Sequence, residues 1–194
     1  MSRHLRTLVM LVLLGSCAGS DFTPPRNLDD ACDIVRERPK YLRAMKKTEE
    51  RWGVAVPVQM AIIYQESKFD GDIRTPVQYV LGVIPMGRQS SAYGYAQALD
   101  GTWAEYQRAR GGHGARRHDI NAATDFMGWY MTQTLEETGL DLNDARGQYL
   151  AYHEGRAGYL RGTHNRKAWL LRIADSVAAR AVVYDTQLRL CGKR

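Results

Sequence analysis

Glu66 is the residue in this chain best suited to acid chemistry. It lies in the run Ile62-Ile63-Tyr64-Gln65-Glu66-Ser67, four positions after Ile62 and three after Ile63. In a helix those side chains share a face, and the isoleucines make that face the buried one. A carboxyl there, near a helix C-terminus, is penalised as an anion by burial and by the negative end of the helix dipole, so its pKa is expected to rise. A carboxylic acid that keeps its proton near neutral pH can serve as a general acid. Asp70 and Asp72, just downstream, are the nearest candidates for a second carboxylate, although their setting suits a polar turn. His113 and His118, with Arg110, Arg116 and Arg117, suit a solvated basic loop touching an anionic polymer. No carboxylate or cysteine completes a metal set around those histidines. No cofactor, Gly-rich phosphate loop, Ser-His-Asp order or Cys-His nucleophile is expected.

The elements that must position Glu66 read as helices. Asp29 or Asp30 caps a first helix ending near Arg38, and Pro39 opens a second that stops at Gly53. Pro57 opens a third, through about Lys68, which carries Glu66. A fourth covers 100–110. Asp119 opens a fifth, with Ile120, Ala123, Met127, Tyr130, Met131 and Thr134 on one face and Gly139 as the stop. Asn143 opens a sixth, ending near Glu154. The last is long, with Leu170, Ile173, Val177, Ala181, Tyr184 and Leu188 recurring at helical spacing. The fold class is therefore mainly α. No run alternates well enough for a sheet, and residues 71–93 and 111–118 read as irregular. The apolar side chains inside 71–93 (Tyr79, Val80, Leu81, Val83, Ile84, Pro85, Met86) are expected first in the core, with a cleft roof or a partner surface as alternatives. Trp103, Trp129 and Trp169 are also expected in the core.

The N-terminus reads as an export address. Residues 1–7 are basic, 8–14 are continuously apolar, and Gly15-Ser16-Cys17 follow. Seven apolar residues are too few to span a hydrocarbon core ~30 Å thick. Leu14-Gly15-Ser16-Cys17 resembles a bacterial lipobox, which implies cleavage before Cys17, acylation of that cysteine, and a lipid-anchored periplasmic protein. Ala18 beside the modified position favours the outer membrane by the same resemblance. This organisation gives a signal peptide over 1–16, a Pro-containing tether over 17–28 and one catalytic domain over 29–194. Export permits a disulfide between Cys32 and Cys191, which would join the ends of the mature chain. The composition, 44% hydrophobic and 25% charged, is that of a globular chain. Its net charge of +6 favours anionic partners, but no nucleic-acid motif accompanies it.

Three short motifs give Glu66 a context: Glu66-Ser67, Gly94-Tyr95-Ala96-Gln97 and Ala151-Tyr152-His153-Glu154-Gly155. With Asp119-Ile120-Asn121-Ala122 between the second and third, their order resembles the lytic transglycosylase domain of the soluble lytic transglycosylase and goose-type lysozyme family. The resemblance covers roughly residues 40–180. It implies a lysozyme-like helical fold with a cleft for peptidoglycan glycan strands. It implies Glu66 as the catalytic acid/base and Ser67 as a cleft residue positioning substrate and acid. It also implies Gln97 as a hydrogen-bonding partner of the sugars, and Tyr152 as an aromatic that packs beside the carboxyl and can hydrogen-bond it. Tyr95 and His153 lie inside the motifs and join the candidate substrate contacts. Ala96 stands where the family often has a large side chain, and His153 where it usually has asparagine. Gly94 is expected to let backbone approach sugar, and Gly155 to end the sixth helix in a left-handed conformation. One motif carboxylate is too few for an ordinary glycosidase. It suffices for non-hydrolytic cleavage between N-acetylmuramic acid and N-acetylglucosamine that forms a 1,6-anhydro sugar. The alternatives are a hydrolytic muramidase on the same scaffold, or a non-catalytic glycan-binding lipoprotein serving an envelope-spanning or secretion machine.

Overall fold

The computed structural model describes residues 22–194. The expected signal peptide, Cys17 and the start of the tether lie outside the described residues. Among these residues helices dominate, as expected: α1 (Ala31–Glu37), α2 (Pro39–Trp52), α3 (Val56–Ser67), α4 (Asp100–Arg110), α5 (Ile120–Thr138), α6 (Ala145–Glu154), α7 (Arg156–Leu160) and α8 (Ala168–Leu190). Their ends follow from local chemistry. Asp30 caps α1 by accepting from the Cys32 and Asp33 amides, and Asp119 caps α5 through the Asn121 amide. Gly53 and Gly139 close α2 and α5 in left-handed conformations. Asp144, rather than Asn143, caps α6; the Asn143 side chain instead accepts from the Ala55 amide just before α3.

Helix α3 is apolar nearly all round, with Val56 through Ile63 all buried. Such a helix belongs at the centre of a domain. It packs against α8 on one side and touches α2 and α6, while α2 lies along α5 and α6 along α8. Met60, Ile62 and Ile63 meet Met45, Tyr41 and Tyr184 in one continuous core. The expected Cys32–Cys191 disulfide is present, with Cα atoms 6.4 Å apart. It ties α1 to the end of α8 across 159 residues, which chain-entropy models value at roughly 5 kcal/mol.

Several expectations are corrected. Residues 71–93 contain a β-hairpin, β1 (Val77–Val80) paired antiparallel with β2 (Ile84–Arg88). Its apolar side chains do not enter the core: Leu81 is 86% and Val83 75% exposed. The helices already cover α3, so the strands pair only with each other, around a turn with positive φ at Leu81 and Gly82. Trp103 and Trp129 are buried, but Trp169, in the first turn of α8, is exposed. Residues 22–28 lack regular structure but are pinned rather than trailing. Pro25 is buried, Phe22 accepts a backbone hydrogen bond from Gly71, and Leu28 accepts from the Tyr184 hydroxyl. Finally, Gly155 leads directly into the short α7 and a 3-10 turn, Thr163–Arg166, where the sequence showed no periodic pattern.

Candidate active site

The end of α3 carries Glu66 into a strained turn. Lys68 and Phe69 both have positive φ, 52° and 62°, which costs non-glycine residues about 1–3 kcal/mol each. Tertiary packing offsets this. Phe69 is fully buried and stacks on Tyr41, and the Lys68 ammonium lies 3.7 Å from the Tyr64 ring centroid. Asp70 and Asp72 continue the turn. The Asp72 amide donates to Asp70, and the Asp72 carboxylate accepts from the Tyr93 hydroxyl at 2.6 Å.

Glu66 is half-buried among the helices. Within the described residues no hydrogen bond or ion pair reaches its carboxyl. Burial pushes its pKa from 4.5 up to about 7, against a smaller opposing pull from the nearby Lys68 charge. Tyr149 and Tyr152 on α6 lie close enough for the Glu66 charge to act on both. Their phenols are raised first by burial and then by Glu66. The acid thus faces neutral hydroxyl-bearing rings. The Tyr152 hydroxyl, however, donates to the Ala96 carbonyl at 2.5 Å, so the hydrogen bond expected toward Glu66 goes to the second motif instead.

That second motif is shaped by packing. Gly94 has φ +78°, and a Cβ there would lie 2.2 Å from the Arg117 carbonyl oxygen. The glycine is needed for close approach of the basic loop, rather than of sugar as expected. Tyr95 is fully buried and its hydroxyl meets that of Tyr41 at 3.0 Å, so its side chain belongs to the core and not to a cleft wall. Gln97 takes a positive φ and donates its amide to the carbonyls of Ile73 and Gly94. It lines a hollow of about 230 Å³ together with Thr102, Tyr130, Tyr152, His153 and Glu154. The fold therefore brings Gln97, Tyr152 and His153 together on one surface hollow; Glu66 is not among the residues lining it, but its charge acts on the Tyr152 phenol. Ser67 is buried, and its hydroxyl donates back to the Ile63 carbonyl, so it faces the helix rather than open space.

Glu154 is the residue that sequence reasoning missed. Its side chain is 4% exposed, yet its cover is largely its own partners. Lys167 Nζ lies 2.7 and 2.9 Å from its two oxygens, Thr163 donates its hydroxyl, and His153 Nδ1 lies at 3.0 Å. Desolvation opposes its charge, but these hydrogen bonds and the Lys167 charge outweigh it and hold the carboxyl at about 2. The pairing fixes the ring of His153, which also lies against Trp169 at 5.3 Å and Tyr149 at 6.4 Å between ring centroids. Thr163 comes from the 3-10 turn and Lys167 from the position just before α8, neither of which carried a sequence signal. Gly155, next in line, has positive φ but extended ψ (72°, 152°), a region open essentially to glycine alone.

No curated protein matches the chain. A family model does: that described as the transglycosylase SLT domain matches residues 5–191. The mainly helical, lysozyme-like fold is that expected of this family, and the chain belongs to it as a lytic transglycosylase acting on peptidoglycan.

Proposed function

We propose that this protein cleaves the β-1,4 bond between N-acetylmuramic acid and N-acetylglucosamine without water, with Glu66 making both proton transfers. The observation that carries this reading is the state of Glu66: one half-buried carboxyl, unpaired among the described residues, with a pKa of about 7. Such a group is substantially protonated near neutral pH and can donate to the leaving glycosidic oxygen as the C1–O bond breaks. The carboxylate left behind then takes the proton of the muramoyl 6-hydroxyl as that oxygen bonds to C1. The acid is regenerated and the product is a 1,6-anhydro sugar. Tyr152 connects Glu66 to the hollow: beside Gln97 and His153 it lines the space that would receive sugar, and its phenol lies within reach of the Glu66 charge.

The other carboxylates support a single-acid mechanism. Glu154 is saturated with donors and held at about 2, so it is neither a proton source nor an available base near neutral pH. Asp70 and Asp72 spend oxygens on the turn and on Tyr93. Export and acylation at Cys17 would hold the enzyme in the periplasm on the outer membrane, beside its polymer and any envelope machine it serves. Digestion of purified sacculi followed by product mass analysis tests the chemistry. Anhydro ends support it; ends heavier by one water identify a hydrolytic muramidase; binding without soluble products identifies a glycan-binding protein.

A further inference from the structure

The β1–β2 hairpin has no role in the chemistry above, and its composition is unlike the rest of the surface. From Thr75 to Gly87 no side chain is charged, and Arg74 and Arg88 bracket the stretch. Tyr79 (58%), Val80 (45%), Leu81 (86%), Val83 (75%), Ile84 (51%) and Met86 (64%) are all exposed. Tyr79 pairs with Pro85, and Val80 with Ile84. Since neighbouring strand residues point to opposite faces, both faces of the hairpin are apolar. A protein groove covers one face of a ribbon, and a glycan strand needs hydrogen-bonding side chains that the tip lacks. A lipid surface accepts an apolar projection from all sides, with the bracketing arginines at headgroup level.

The path of the chain points the same way. Phe22 is bonded to the Gly71 amide and its ring packs on His118, which also contacts Tyr93 across the hairpin base. Cys17 lies five positions before Phe22, a reach of at most ~16–18 Å. The hairpin turn stands within ~23 Å of its base bridge, Arg74–Tyr93, at strand spacing. An acyl anchor and the hairpin tip thus leave the domain from one place with similar reach.

We infer that the 81–86 tip of the hairpin enters the lipid surface as a second foot, fixing the orientation of the domain over the membrane. Only the tip enters, because unpaired strand-edge amides and carbonyls must remain with headgroups or water. The orienting role rests on acylation of Cys17; the lipid contact does not.

The test uses the chain from residue 18, which contains every described residue and no acylation site. It is floated with phosphatidylethanolamine/phosphatidylglycerol vesicles. The parent chain is expected to bind. Leu81→Asp/Val83→Asp should bind roughly tenfold or more weakly, since charge opposes interfacial burial. That variant should keep its thermal midpoint and its rate on detached sacculi. A fluorophore on Leu81→Cys should shift to the blue with vesicles, since the existing cysteines are paired. Equal binding by parent and variant, or no vesicle binding and no spectral shift by the parent, overturns the inference. Lost sacculus digestion with unchanged lipid binding also overturns it, assigning the hairpin to glycan. Failure of the Glu66 mechanism would leave flotation unchanged, so the two readings fail separately.

Discussion

Two glutamates, Glu66 and Glu154, sit in the last turns of two helices, and the fold drives them in opposite directions. Glu66 closes α3 in apolar surroundings without a partner among the described residues, and burial raises it to about 7. Glu154 closes α6 with little exposed surface, but Lys167, Thr163 and His153 supply donors and hold it at about 2. Little exposure alone therefore does not decide the protonation state of a carboxyl. The deciding quantity is whether hydrogen bonds and positive charge replace the water that was removed. One site keeps a mobile proton; the other uses a fixed negative charge to join α6 to the start of α8.

The strongest way to break this contrast is Glu66→Gln. It should lower muropeptide release by about 10²–10⁴-fold, the range for a lost general acid, while circular dichroism stays unchanged. Parent-level release would remove Glu66 from the chemistry.

Stability measurements against pH sharpen it, because the signs differ. Glu66 has a folded pKa above its unfolded one, so the parent loses stability as pH rises from about 4.5 through about 7. Glu66→Gln should therefore be the more stable protein at pH 8, by roughly 1–3 kcal/mol, with that advantage gone at pH 4. Glu154 has a depressed folded pKa, so its contribution is present above about 4.5 and lost as pH falls toward about 2. Glu154→Gln should cost roughly 1–3 kcal/mol at pH 7 and little near pH 2, the estimate being reduced for the part-exposed Lys167. Denaturant melts of both variants at three pH values would show curves of opposite slope; parallel curves would dissolve the distinction.

Kinetics give a smaller effect. The alkaline fall in kcat/KM should be centred near 7, where Glu66 loses its proton. Lys68→Met removes the charge that pulls this pKa down, so the fall should move to higher pH by a few tenths of a unit. A shift to lower pH would mean that Lys68 does not act through Glu66.

Much of this was legible from local pattern. Helix periodicity, proline starts, aspartate caps and glycine stops placed α1 through α6 and α8. The face shared by Ile62, Ile63 and Glu66 anticipated a raised carboxyl. The motif that contains Tyr95 and Gln97 was found, but the roles within it were not. Positive φ at Gly94 and Gln97 turns Tyr95 into the core and leaves Gln97 on the hollow. Neighbouring residues in an irregular turn have no fixed period, so their directions could not be read.

The sequence alone determined which segments are helical, which acid lies on a greasy face and which cysteines are available to pair, because caps, periodicity and residue type act over a few positions. The tertiary structure decided which carboxyl is paired, where the Tyr152 hydroxyl points and whether the 77–88 residues reach the core. Those outcomes depend on partners from distant segments, such as Lys167 for Glu154 and Ala96 for Tyr152, and on helices that had already enclosed α3.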